Sequence, residues 1–152
     1  MDWRVSQAHS RERYLAKFDV AEASVGLLSR DDEDAYLSDL SGVFRFREGA
    51  SALDAGAGTG ALVRVLSRVP GLTITAMEPV PSMLAKLRSK PELWGVATVQ
   101  GFCDNVGDRH HFKGQQFDAI VSRQLVNGLF DPLTAFSTSI VRSCAKLAGK
   151  VS

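Results

Sequence analysis

Only two cysteines occur in the 152 residues, Cys103 and Cys144, and they stand far apart in unrelated contexts. No disulfide framework, thiol redox pair or metal-binding cysteine spacing can be built from them. They read as buried or half-buried thiols of a reducing compartment. An excess of one charge sign is also missing, since 18 Lys and Arg face 17 Asp and Glu. Proteins organised around nucleic-acid phosphates usually carry a basic excess, so this balance argues against that class. No apolar run approaches the roughly 20 residues that span a bilayer. The start, Met1-Asp2-Trp3-Arg4, leads into a charged stretch rather than the apolar core of a signal peptide. The expectation is a cytoplasmic protein with no nucleic-acid partner, no membrane partner and no metal. Internal repeats and low-complexity linkers are absent too.

What is present has ordinary globular proportions, 45% hydrophobic and 23% charged, and the length of one domain. Leu15, Phe18, Ala21 and Val25 recur at helical spacing and predict a helix over Val5–Leu28. A second helix is expected over Asp31–Phe44, with Leu37, Leu40 and Phe44 on its apolar face. Asp31, Asp32, Glu33 and Asp34 fall in its first turn, where the helix dipole favours acids. The pattern then changes. Ala50–Asp54 reads as a buried strand, Ala61–Val69 as a helix, Leu72–Met77 as a strand ending at Glu78-Pro79, and Pro81–Ser89 as a helix. Val96–Gln100 and Phe117–Ser122 are two further strands, and Trp94 reads as packing, in the core or at the surface. Asp131-Pro132 supplies the N-cap and first residue of a last helix, striped by Leu133, Phe136, Ile140, Val141 and Cys144. Strands alternating with helices imply an α/β fold with a doubly wound, mainly parallel sheet. Residues 1–152 form one domain in this reading, with a helical cap or lid over 1–48 and a core of about four strands over 49–152.

Asp54-Ala55-Gly56-Ala57-Gly58-Thr59-Gly60 joins the first strand to the helix after it. Glycine permits backbone angles closed to other residues and lets a ligand approach the main chain. Ligands of such sheets bind outside the carboxyl ends of the strands, where strand order reverses, and here that point is Asp54–Gly60. Glu78 ends the next strand, 20 residues beyond Gly58, where a carboxylate accepts from both hydroxyls of a ribose. The pair points to a nucleoside-containing cofactor; the plainer alternative is a tight turn plus a surface glutamate. Gly56-x-Gly58-x-x-Ala61 also fits a dinucleotide fingerprint, which keeps a nicotinamide- or flavin-dependent oxidoreductase as a competing reading. Against it, Asp54 lies two residues before the first glycine, where it repels a pyrophosphate. A cofactor carrying a sulfonium and an ammonium tolerates or uses that acid.

The run Leu53-Asp-Ala-Gly-Ala-Gly-Thr-Gly60 resembles the first motif of class I S-adenosylmethionine-dependent methyltransferases. Ala76-Met-Glu78-Pro-Val-Pro-Ser-Met83-Leu84 resembles their second, Val99-Gln-Gly101-Phe-Cys-Asp104-Asn-Val106 their third, and Phe117-Asp118-Ala-Ile-Val-Ser-Arg123-Gln-Leu their fourth. The likeness covers Ser51 to Phe136. It implies a Rossmann-like fold, S-adenosylmethionine as cofactor, and methyl transfer to a small-molecule acceptor. It further implies cofactor contacts from Asp54, Gly56, Ala57, Gly58 and Gly60, from Glu78 at the ribose with Pro79 and Met83 beside it, and from Cys103 and Asp104 at the adenine. Many relatives carry Gly-Asp-Ala where this chain has Gly101-Phe102-Cys103, and Phe102 reads either as core or as an adenine wall.

No residue stands out as a catalytic base. His110 and His111 lie in a polar loop over Asp108–Gly114, and His9 is isolated in the first helix. Arg123, Gln124 and Asn127 follow the fourth strand at its carboxyl end and are the candidates for acceptor contact. Tyr14 and the first two helices read as a lid over the methionine end or as simple packing. The family usually continues through a Leu-Lys-Pro-Gly-Gly turn into a fifth strand, whereas this chain ends Ala145-Lys-Leu-Ala-Gly149-Lys-Val-Ser152. That reads as a truncation. It leaves the edge of the fourth strand open to a second copy or a partner chain, and the alternative function is a non-catalytic relative that binds cofactor or partner.

Overall fold

The computed structural model describes residues 9–16, 28–102, 112 and 115–123. Residues 9–16 are helical, within the first expected helix. The helix expected from Asp131 lies outside the described residues. The elements that follow residue 28 are α1 (Arg30–Val43), β1 (Ser51–Ala55), α2 (Ala61–Leu66), β2 (Thr73–Glu78), α3 (Pro81–Arg88), a short 3₁₀ turn (Pro91–Leu93), β3 (Ala97–Gln100) and β4 (Ala119–Val121). The strands form one sheet in the order β3-β2-β1-β4, and every pairing is parallel. The chain order reverses between β1 and β4, so the crevice outside their carboxyl ends is the ligand position that this topology favours. β4 pairs with β1 and is the last strand of the described sheet; the chain expected to follow it lies outside the described residues.

Period-two alternation assigns the faces of the sheet. One face carries Ile74, Ala76 and Val121 into a core with Leu40, Leu62, Val63, Val65, Leu66, Leu87 and Leu93. The other carries Leu53, Ala55, Met77 and Ile120 against Phe112. Phe112 falls inside the stretch read from sequence as a polar loop, yet it is buried, with its ring edge-on to Phe117 at 5.4 Å. Trp94 is 73% exposed. It sits at the C-cap of the 3₁₀ turn, where Leu93 takes the inward position. α2 closes at Leu66, short of the expected Val69. Pro70 disfavours helical angles at Val69, and Gly71, with φ of 72°, completes the turn into β2.

The acids at the start of α1 divide their work. Ser29 and Asp32 make a capping box, and the Ser29 hydroxyl on Asp32 holds that carboxyl below its ordinary value. Glu33 and Asp34 do something the helix-start reading did not foresee, because they join α1 to α2. Buried Glu33 pairs with Arg64 at 2.8 Å and Arg68 at 4.0 Å, and Asp34 pairs with Arg68 at 2.6 Å. Arg64 and Arg68 are partly exposed and regain water when unpaired. Glu33→Ala is therefore expected to cost about 1–2 kcal/mol, less than the loss of a fully buried ion pair. Urea unfolding measures this; a change below about 0.5 kcal/mol rules out a structural role for the pair.

Candidate functional site

The turn after β1 is built from three left-handed glycines, Gly56 (φ 79°), Gly58 (φ 56°) and Gly60 (φ 93°). The amides of Gly56 and Ala57 both donate to the Met77 carbonyl at 2.9 Å, which stitches the turn to the end of β2. Gly60 and Gly58 differ in what surrounds them. A Cβ on Gly60 would lie 2.9 Å from Leu93 Cδ1 and 3.1 Å from Leu87 Cγ, inside the core. A Cβ on Gly58 would meet nothing within 4 Å. Gly60 thus lets α2 pack closely, while Gly58 presents bare backbone to open space. Lys90 donates from Nζ to the Thr59 carbonyl at 2.6 Å and pins the turn from beyond α3. Its partial burial draws the ammonium below its ordinary pKa.

Glu78, the last residue of β2, faces this turn. Its Oε2 accepts from the Gly58 amide at 2.8 Å and its Oε1 from the Val80 amide at 2.9 Å. Burial pushes the carboxyl above its ordinary value, and the two amides work against that shift. Each carboxylate oxygen can take a second hydrogen bond, so the amides orient Glu78 without exhausting it. Pro79 and Met83 are buried beside it, and Ala57 belongs to the helix-face core.

Asp54 stands in β1 opposite Ala76 and Val121, so its side chain shares their face, under α1 and α2. It is 1% exposed, and its Oδ2 has no hydrogen-bond partner. Burial, then the charge of Glu78, pushes its pKa up to about 7, with Arg123 opposing weakly. An orphaned buried acceptor is costly, and it is the kind of group that a bound cation or donor satisfies.

Arg123 follows β4 and reaches across to α1. Its Nε donates to the Tyr36 hydroxyl at 3.3 Å, and its guanidinium carbon lies 5.7 Å from the centre of that ring. Beyond β3, the Phe102 ring meets Tyr14 edge-on at 6.1 Å, with the Arg11 guanidinium 5.1 Å from its centre.

The fold therefore brings Asp54, Gly56, Ala57, Gly58, Gly60, Glu78, Pro79 and Met83 to the carboxyl ends of β1 and β2, with Arg123 after β4. Cys103, Asp104, His110, His111, Gln124 and Asn127 lie outside the described residues. Tyr36 and Lys90 were missed from the sequence. Tyr36 lies on α1 four residues before Leu40, outside the apolar face read from the sequence, and Lys90 sits in no motif. No cluster of three His, Cys, Asp or Glu suited to a metal occurs among the described residues. Among them, too, no helix is long and apolar enough to cross a membrane.

The residues fit an adenosyl group with a positively charged tail in two respects: the open space at Gly58 admits the ligand to the backbone, and the orphaned Asp54 oxygen offers an acceptor for a cation. The family described as Methyltransferase domain matches the chain over residues 52–146. No curated protein matches it. Solved structures share the fold. EvdMO1 is 21% identical, with a TM-score of 0.60, covering 83% of this chain and 31% of its own. The YcgJ protein of Bacillus subtilis is 18% identical, with a TM-score of 0.54, covering 67% of this chain and 43% of its own. Phosphoethanolamine N-methyltransferase 1 of Haemonchus contortus, solved with phosphoethanolamine and S-adenosylhomocysteine, is 14% identical, with a TM-score of 0.52, covering 75% and 24%. The chain thus spans less than half the length of each of these three.

Proposed function

The chain belongs to the methyltransferase domain family, and from that premise we propose that its glycine turn binds S-adenosylmethionine and that it transfers the methyl group to a small-molecule acceptor. The observation that carries the reading is Glu78, held by the Gly58 and Val80 amides with acceptor capacity left for two ribose hydroxyls. The ribose and methionine portion lies along Gly56 and Gly58 in this reading. Cys103 and Asp104 remain adenine contacts on the strength of the family resemblance alone. Asp54 takes the positive charge of the methionine end.

The cofactor supplies a methyl group on a positively charged sulfur, which keeps the bonding electron pair when the acceptor's lone pair forms the new bond. What falls to the chain is alignment, which is worth up to roughly 7–11 kcal/mol in favourable cases, together with exclusion of water. No described residue is placed as a general base. Arg123 stands on the acceptor side in this reading, just after β4; Gln124 and Asn127, which follow it in the sequence, stay acceptor contacts on the strength of that position alone. Calorimetric titration with S-adenosylmethionine tests binding, and a methyl-transfer assay tests turnover separately. A folded chain that binds no adenosyl ligand overturns the reading.

Asp54 gives the reading a pH signature. Its raised pKa of about 7 means that the folded state holds the proton where the unfolded chain has lost it. Its stability contribution is therefore fully present below pH ~4 and is lost as pH rises through ~7. Cation binding favours the carboxylate and releases that proton. Affinity for S-adenosylmethionine is accordingly expected to rise by up to about tenfold between pH 6 and 7.5. Affinity for uncharged 5′-methylthioadenosine should stay flat. Equal slopes for the two ligands would remove Asp54 from the cationic end.

A further inference from the structure

The carboxyl end of β4 presents a cation whose charge the fold leaves largely unused. A guanidinium offers five N–H donors in a planar fork. In Arg123, Nε donates to the Tyr36 hydroxyl, and the guanidinium carbon lies 5.7 Å from the centre of that ring. Its terminal nitrogens form no ion pair with an acid among the described residues. Two acids feel its charge, and each has another counterpart: Ser29 for Asp32, and the cationic end of the cofactor for Asp54 in the reading above. Asp54 feels Arg123 as the weakest of its three influences. Tyr36, accepting from Nε, keeps its own hydroxyl proton to donate. The result is a set in which donors outnumber acceptors, tied from α1 to the sheet across 87 residues of sequence, next to the strand that bears Asp54. A planar two-oxygen anion matches that set, because the fork makes two parallel hydrogen bonds to a carboxylate.

We propose that Arg123 and Tyr36 form a carboxylate subsite beside the methyl-transfer position, so that the acceptor is a small molecule bearing a carboxylate. The inference rests on the cofactor reading of the glycine turn. The hydrogen bond to Tyr36 pre-orders the guanidinium, so less rotamer freedom is lost when the acceptor binds. A neutral amide in place of the carboxylate sets a donor against donors and is rejected.

The cofactor carries a carboxylate of its own, and the test separates the two sources. The wild-type chain and the Arg123→Gln, Arg123→Lys and Tyr36→Phe variants are titrated with S-adenosylhomocysteine and with 5′-methylthioadenosine, which lacks the amino-acid tail. Each S-adenosylhomocysteine complex is then titrated with acetate, benzoate and phenylacetate, and with the matching amides. The expected result is a homocysteine-ligand affinity within threefold of wild type in Arg123→Gln. At least one carboxylate should bind the wild-type complex tenfold or more tighter than its amide. Arg123→Gln should erase that preference, Arg123→Lys should keep only part of it, and Tyr36→Phe should reduce it several-fold. Carboxylates no tighter than amides on the wild-type complex overturn the proposal. So does a tenfold loss of S-adenosylhomocysteine in Arg123→Gln with 5′-methylthioadenosine unchanged, which assigns the guanidinium to the cofactor's tail. If wild type binds neither adenosyl ligand, the cofactor reading has failed and the subsite falls with it; failure against a formed complex removes the subsite alone.

Discussion

Glu78→Ala is expected to weaken S-adenosylmethionine binding by about 100-fold or more, close to 2.7 kcal/mol. Hydrogen bonds to a charged acceptor contribute about 1.5–3 kcal/mol each, and the reading gives Glu78 two of them at the ribose. The substitution also frees the Gly58 amide, so the turn that meets the ligand loses its brace. Glu78→Gln is informative because it keeps the shape. Two backbone amides point at the two carboxylate oxygens, but a carboxamide has a single acceptor oxygen. One amide must then face an NH₂ group, and Gln is expected to recover little of the loss. Val80 is fully buried, so its unpaired amide costs about 1–3 kcal/mol of stability as well. Circular dichroism and a melting curve must therefore accompany the titration. Glu92→Ala, an exposed acid of the 3₁₀ turn, controls for the change in net charge. Affinity within threefold of wild type in folded Glu78→Ala protein would remove the ribose role and with it the main support for the cofactor.

The second large effect is a contrast between two glycines of one turn. Gly60→Ala brings a Cβ to 2.9 Å from Leu93 Cδ1 at a residue with φ of 93°. Left-handed angles cost an L-residue roughly 1–2 kcal/mol, and overpacking a filled core adds about 1–3 kcal/mol. A loss of about 2–4 kcal/mol follows, enough to lower the melting temperature by roughly 4–16 °C. Gly58→Ala carries the backbone cost alone, since nothing lies within 4 Å of the added atom. It should lower stability by about 1–2 kcal/mol. Its added methyl occupies the space given to the cofactor, so binding should fall at least tenfold. Chemical unfolding and ligand titration of both variants read the contrast. If Gly58→Ala proves the more destabilising of the two and binds as wild type, the open space beside Gly58 is not where the cofactor lies.

Much of the frame was legible because its causes are local. Buried parallel strands read as short apolar runs, glycines mark the turn after β1, and Pro81 opens α3. Spacing alone set Glu78 at the end of the second strand. The acids in the first turn of α1 showed a helix start, and Ser29 and Asp32 form the cap. Nothing local distinguished Glu33 from Asp32, however, and Glu33 turned inward because Arg64 of α2 and Arg68 just after it lie opposite.

The amino-acid sequence by itself determined the alternation of strands and helices, the glycine turn with its acidic partner, and the family resemblance, since each is written in short motifs at fixed spacing along the chain. Tertiary structure decided which glycine faces the core and which faces open space. It decided that both Glu78 oxygens meet backbone amides, that Asp54 keeps an orphaned oxygen, that Phe112 packs under the sheet, and that Arg123 rests on Tyr36. These outcomes depend on which faces meet after the chain has crossed the sheet, on contacts as distant as 87 residues. Side-chain spacing along a strand or helix carries no record of what the opposite face will bring.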